Sequence, residues 1–313
     1  PFPVGAWRLG AEAHALPEVA WLPRPSRLAG NTAVPLVSIN GELKDGFDGQ
    51  MAPTPYLLDA PYLLQVVASF NEVVARSRLM RLAPGAVVQE HVDFNYHWYS
   101  RVRIHVPIIT EPAVRFFCGA DEVHMAAGEA WLFDSWRRHR VINGSADERI
   151  HLVIDIAGSA AFWQMVRQVQ RSEVPMTPQV TAFEPDLKHE LITERFPFAP
   201  IMAPGEMSAI VAELLDDCRA NPANDSHMLN YYHDLLFDLV HDWRRQWSLY
   251  GLTPEGIAGY QGLLQRTRSA LKENPRVLVT QSNGVGINPI ILQRILGAAL
   301  QPRRAEEFVT GRS

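Results

Sequence analysis

The stretch RVRIHVPIITEPAVRFFCG (101–119) holds two β-type runs, RVRIHVPIIT (101–110) and VRFFCG (114–119), separated by Glu111, Pro112 and Ala113. β-Branched and aromatic residues fill both runs, and the Pro-containing break punctuates them. Runs of the same kind lie on either side: VPLVSIN (34–40) and RSRLMRL (76–82) upstream, AWLFD (130–134) and RIHLVIDIAG (149–158) downstream. Many short strands at roughly 8–12 residue spacing predict an antiparallel sandwich or barrel. One helix is interleaved, because PYLLQVVASFNEVV (61–74) carries apolar residues at helical spacing.

Beyond Gly158 the texture changes to long segments of helical period with charged faces. These are GEMSAIVAELLDDCRA (205–220), LNYYHDLLFDLVHDWRRQW (229–247), EGIAGYQGLLQRTRSALKEN (255–274) and PIILQRILGAAL (289–300). The Pro-rich stretch VPMTPQVTAFEPD (174–186) reads as a linker, and RRAEEFVTGRS (303–313) as a frayed tail. The expected organisation is a β domain with an N-terminal extension over 1–160 and a helical C-terminal domain over 161–313. That helical part would wall a pocket or form a homodimer contact.

A chain of 313 residues, 47% of them apolar, can bury a substantial core. Its formal charge of -5, with no clustered Lys/Arg stripe, argues against a nucleic-acid partner. Two cysteines, Cys118 and Cys218, can make neither a disulfide framework nor a cysteine-based zinc site. Pro1–Gly10 lacks the pattern of an export signal and no apolar run reaches membrane-spanning length, so a cytoplasmic protein with no membrane partner is the expectation. Asn143-Gly144-Ser145 matches a glycosylation sequon but reads as a turn.

Six of the eleven histidines (His91, His97, His105, His124, His139 and His151) fall between residues 91 and 151, which invites a metal reading. In His91-Val92-Asp93, residues i and i+2 of an extended segment point the same way, so an imidazole and a carboxylate can converge on one ion. The third ligand must come from a neighbouring strand. His139 is the natural candidate, with His151 as its competitor. Two imidazoles and one carboxylate leave coordination positions open, which suits iron(II) taking up an oxo-acid and dioxygen (O2) together. Arg149 opens the strand RIHLVID, on which it shares one face with His151, Val153 and Asp155, while Ile150, Leu152, Ile154 and Ile156 share the other. An inward guanidinium without an anion is costly, and an oxo-acid with a distal carboxylate would satisfy it through planar, two-pronged hydrogen bonds.

The ordered set RLAPGAVVQEHVDF (81–94), SRVRIHVPI (100–108) and MAAGEAWLFDSWRRHRVINGSADERIHLVID (125–155) resembles the core of the aspartyl/asparaginyl β-hydroxylase family and its bacterial proline hydroxylase relatives. The likeness covers roughly residues 76–157. It implies a double-stranded β-helix (a jelly-roll, cupin-like barrel) with flanking helices and iron in its mouth. It implies that His91, Asp93 and His139 bind iron(II), that Arg149 and His105 bind 2-oxoglutarate, and that Arg103 lies near the co-substrate or an acidic group of the substrate. His97 and Trp98 would form a flexible lip over a small-molecule or peptide substrate. The implied activity is hydroxylation of an unactivated C–H bond of an amino acid, free or within a peptide or natural product, with succinate and CO2 released. One departure stands out: Met80 occupies the position where mammalian-type members carry a serine that assists the distal carboxylate.

Two rivals share these residues. The same metal site could perform desaturation or epimerisation, or a non-catalytic cupin-like module could bind a metal or small acid. A passive module has little need of Asp93 and Arg149 together. Further on, VLVTQSNGVGINPIILQRIL (277–296) places Gly284 and Gly286 as a dinucleotide loop would, but Pro289 stands at the third glycine position, so a turn before a helix start explains it better.

Overall fold

The computed structural model describes residues 6–23, 30–44, 46–171, 182–196 and 198–301. The stretch expected as a linker lies outside the described residues up to position 181, and the expected tail lies wholly outside them. In chain order the elements are α1 (Ala6–His14), β1 (Leu22–Pro23), β2 (Asn31–Ile39), β3 (Met51–Pro53), α2 (Pro55–Leu58), α3 (Pro61–Ser69), β4 (Val74–Leu82), β5 (Val87–His91), α4 (Tyr96–Tyr99), β6 (Val102–Ile109), β7 (Val114–Cys118), β8 (Asp121–Val123), β9 (Trp131–Leu132), β10 (His139–Asn143) and β11 (Arg149–Ile156). Helices α5 (Ala160–Arg171), α6 (Pro204–Ala220), α7 (Ser226–Tyr250), α8 (Ile257–Ala270) and α9 (Ile287–Ile290) follow, the last running on as a π-turn through Leu296.

The strands form two antiparallel sheets. The larger runs β1-β2-β4-β11-β6-β9, with β3 on β2, and the smaller runs β5-β10-β7-β8. Successive strands alternate between the sheets from β4 through β7, and β9, β10 and β11 alternate again on the return. That is the double-stranded β-helix, or jelly roll.

Burial follows the pleat. Ile150, Leu152, Ile154 and Ile156 of β11 pack with Val34, Leu36, Leu79, Ile104 and Val106, under Leu9 of α1 and Leu63 and Val66 of α3. Each such aliphatic side chain removed from water contributes roughly 1.5–3 kcal/mol. The other face of β11 carries Arg149, His151, Val153 and Asp155, and these are buried too. A second cluster, Leu82, Val114, Phe116, Cys118 and Val141, joins the two sheets.

Helix α3 ends at Ser69 instead of reaching Val74 as its periodicity predicts. Asn71 takes a positive φ of 51°, which turns the chain into β4; asparagine tolerates this better than most residues. At the other end, Ala60 has no side chain to cap α3. The carboxylate of Glu12 in α1 does so instead, accepting from the backbone N–H groups of Tyr62 (3.0 Å) and Leu63 (2.8 Å).

By internal contacts the chain forms two compact units: one runs through His91 and resumes from Ser100 to residue 197, and the other comprises Val92–Tyr99 and the chain from Phe198 onward. The change of texture at Gly158 therefore falls inside the first unit. In the second, α7 buries the stripe Tyr232, Leu236, Leu239, Val240 and Trp243. Asp225 caps its first turn through Met228 N (2.9 Å), and Gly251 ends it at φ 52°. The glycine-rich 277–296 segment is a turn closed by the bridge Val279–Gly286 before α9. A Cβ at Gly286 would stand 2.3 Å from Pro275 O, so close backbone approach explains that glycine. No helix among the described residues is long and apolar enough to cross a membrane.

Candidate metal centre

Strands β5 and β10 are neighbours, and their register sets His139 directly opposite His91. Along β10 His139 and Val141 are buried while Arg140 is exposed, so the pleat turns the imidazole inward. The two rings lie 4.2 Å apart, centroid to centroid. Nδ1 of His91 lies 2.8 Å from Gln89 O, and Nδ1 of His139 lies 2.9 Å from Arg137 O. A carbonyl only accepts, so each Nδ1 must carry the proton, and each Nε2 lone pair is left for a metal. His91, Asp93 and His139 offer ligand atoms that all lie within 4.8 Å of one another. His151, the rival third ligand, is not part of this group.

From His139 a row of rings leads inward. Phe133 lies 5.0 Å from His139, Phe116 lies 4.6 Å from Phe133, and His105 lies 5.3 Å from Phe133. His151 follows 5.8 Å from His105, and Nη2 of Arg149 donates to Nδ1 of His151 at 2.6 Å. Arg149 is 3% exposed, and burial pushes its guanidinium down to about 9, which still leaves it cationic at neutral pH. Burial first, and the Arg149 charge second, hold both His105 and His151 well below the ordinary histidine value.

Several of these buried atoms have no hydrogen-bond partner among the described residues: Nε of Arg149, Nε2 of His151, and both ring nitrogens of His105. Buried polar atoms are nearly always satisfied, so this group of donors and acceptors calls for partners from ordered water or a ligand. An oxo-acid with a distal carboxylate fits these donors, and two imidazoles with one carboxylate fit iron(II).

Other expected residues have different surroundings. Arg103 donates through Nε to Asp155 Oδ1 at 2.9 Å, and Arg76 donates through Nε to Asp155 Oδ2 at 3.3 Å. Asp155 is 1% exposed and thus serves two buried guanidinia. Arg76 is not among the expected site residues, although Arg76 and Arg78, two apart and so on one face of β4, were the available signal. Arg101 pairs with Glu194 (2.6 Å), and His124 takes a structural contact to Val114 O (3.1 Å). Trp131 is structural as well, its Nε1 donating to Glu129 Oε2 at 2.7 Å.

His97 and Trp98 are the residues expected at the lip. They sit on the single turn α4 with their rings 4.5 Å apart, and His97 is buried. Within the second unit this segment is held at several points. Tyr96 donates to Glu206, Tyr99 Oη donates to Glu213 Oε1 (3.2 Å), and Arg294 Nε donates to Phe94 O (3.1 Å) while its guanidinium lies 5.1 Å from the Tyr99 ring.

Residues 50–158 match the family model described as Aspartyl/Asparaginyl beta-hydroxylase. The chain is 25% identical over 181 residues to an L-proline cis-4-hydroxylase of Rhizobium meliloti (strain 1021), covering 53% of this chain and 62% of that protein. It is 28% identical over 144 residues to an L-proline cis-3-hydroxylase 2 of Streptomyces sp, covering 41% of this chain and 48% of that protein. The chain therefore spans about half to three-fifths of the length of these curated relatives. A solved structure described as an oxidoreductase of the 2OG-Fe(II) oxygenase family from Burkholderia pseudomallei aligns with a TM-score of 0.36 at 16% identity, over 49% of this chain and 77% of that one.

Proposed function

We propose that this chain, whose residues 50–158 match the aspartyl/asparaginyl β-hydroxylase family model, is a member of that family and an iron(II)- and 2-oxoglutarate-dependent dioxygenase that hydroxylates an unactivated C–H bond of an amino acid, free or within a peptide or natural product. The observation that carries this reading is Arg149, a buried cation beside two imidazoles with unsatisfied ring nitrogens, in the same barrel as the paired His91 and His139. When bound, iron(II) with 2-oxoglutarate and dioxygen supplies the oxidising power to break the C–H bond, with succinate and carbon dioxide as co-products.

The chain's own residues do the holding and orienting. His91, Asp93 and His139 hold the metal and leave positions open for co-substrate and dioxygen. The backbone carbonyls of Gln89 and Arg137 keep both imidazoles in the ligating tautomer. Arg149 binds the distal carboxylate and so fixes which way the oxo-acid enters, and His105 contacts the same co-substrate. Phe116 and Phe133 make the stretch between apolar and keep water from it. Arg103, His97 and Trp98 are the candidates for the substrate side, the first with its reach set by Asp155.

The test mixes anaerobic protein with iron(II) and 2-oxoglutarate and looks for the weak visible charge-transfer band of the chelate. Succinate release is then followed over a panel of amino acids and short peptides headed by L-proline, because both curated relatives are named for proline hydroxylation. The band should form in the wild type, and Asp93→Ala should abolish succinate release. Absence of the band in wild-type protein would overturn the reading.

A further inference from the structure

Arg149 also fixes the proton of its neighbour. A guanidinium only donates, so its 2.6 Å contact makes Nδ1 of His151 the acceptor. The proton of the neutral ring then sits on Nε2, a buried atom with no hydrogen-bond partner among the described residues. In the sheet His151 stands opposite Met80 on β4 and Pro107 on β6, and neither side chain carries an N–H or O–H group. Met80 is also where the family resemblance places a serine that assists the distal carboxylate. A donor absent from β4 is thus matched by a donor directly across the ladder on β11.

We infer that His151 is the second donor to the distal carboxylate of 2-oxoglutarate, its Nε2–H held ready by the hydrogen bond that Nδ1 receives from Arg149. This rests on the co-substrate proposed above. Arg149 supplies the charge and His151 a neutral N–H. Because Arg149 sets the tautomer, the two residues act as a unit, and their substitutions should be non-additive in co-substrate binding. His151 is accordingly a binding and positioning residue and not a metal ligand.

The experiment titrates full-length, iron(II)-loaded anaerobic protein with 2-oxoglutarate and, separately, with 2-oxobutyrate, which chelates alike but lacks the distal carboxylate. The charge-transfer band is the readout, so turnover is not needed. His151→Leu should weaken 2-oxoglutarate about ten- to a hundredfold, as loss of one hydrogen bond to a charged group does, and leave 2-oxobutyrate unchanged. His151→Gln, which returns an N–H near the Nε2 position, should recover part of the loss, and thermal melts of both variants report folding. If the wild type forms the band with neither acid, the proposed function fails and this inference with it. If the wild type binds 2-oxoglutarate and His151→Leu binds it within about twofold as well, the His151 role alone fails. Equal losses for both acids would likewise overturn it, since they mark damage to the metal site. Independently, 15N spectra of the metal-free protein should show His151 as the Nε2–H tautomer, and an Nδ1–H tautomer would refute the assignment.

Discussion

His91 and His139 are direct cross-strand partners with ring centroids 4.2 Å apart, although they stand 48 positions apart in the sequence. Register brings them together, and each imidazole is oriented by a backbone carbonyl two residues earlier. Both rings are thus oriented by the backbone itself. His91→Ala, His139→Ala and Asp93→Ala should each lower cobalt(II) or iron(II) affinity by more than the ~10–100-fold that loss of an outer-shell partner costs. Competition with a chromophoric chelator measures this, and an Asp93→Ala protein of undiminished affinity would remove the carboxylate from the ligand set.

Arg149 is a buried cation whose Nε has no partner among the described residues, a costly state in the ligand-free protein. Arg149→Met keeps the volume and removes the charge. It should leave the ligand-free protein as stable as the wild type or raise its stability by about 1–4 kcal/mol, while abolishing 2-oxoglutarate binding. Urea unfolding of both proteins without ligand tests this. A loss of several kcal/mol would mean that Arg149 has a structural counter-charge.

The barrel was legible in sequence because its longer strands carry continuous β-type runs; β4, β6 and β11 each coincide with one. The strands that carry the two histidines, β5 (VVQEH) and β10 (HRVIN), were not. They are short and polar at one end, and propensity alone does not separate them from the turns beside them. The residue types of the site could be read from H-x-D and from the charged face of RIHLVID, since a period of two fixes which side chains share a side. The pairing of Arg103 and Arg76 on Asp155 could not be read, because it depends on which strands neighbour β11. The fastening of the segment around His97 was equally hidden, because Tyr96 and Tyr99 on either side of it bond to Glu206 and Glu213, more than a hundred positions along the chain.

Asp155 is the carboxylate between Arg76 and Arg103, and all three side chains are buried. Asp155→Asn leaves two guanidinia without their counter-charge and should cost about 3–5 kcal/mol of stability. Asp155→Asn combined with Arg76→Met should recover part of that loss. Chemical denaturation decides it, and an unchanged midpoint in the single variant would show that the two arginines are neutralised elsewhere.

The segment bearing Asp93 is fastened inside the second unit by Arg294, which reaches Phe94 O and the face of Tyr99. Arg294→Ala should cost about 1 kcal/mol for the lost hydrogen bond to a half-buried acceptor, and it should weaken metal binding because the carboxylate is then less firmly placed. Melting and metal titration on the same sample separate the two effects. A variant that loses stability but binds metal as tightly as the wild type would show that the fastening does not govern Asp93.

Acid should destabilise the metal-free protein before its surface carboxylates titrate. His105 and His151 are held neutral in the folded state well below the ordinary histidine value, whereas in the unfolded chain they titrate near ~6.5. Below that pH the unfolded chain takes up protons that the native state refuses, so stability falls as pH falls, by up to about 1.4 kcal/mol per pH unit for each ring. Above it the two rings contribute no slope, because both states are neutral. Unfolding free energies in the presence of a chelator from pH 7.5 to 5 should therefore decline in the wild type and decline less steeply in His105→Gln and His151→Gln. Parallel slopes in all three proteins would mean that the rings become protonated in the folded barrel and that its interior is wetter than their burial implies.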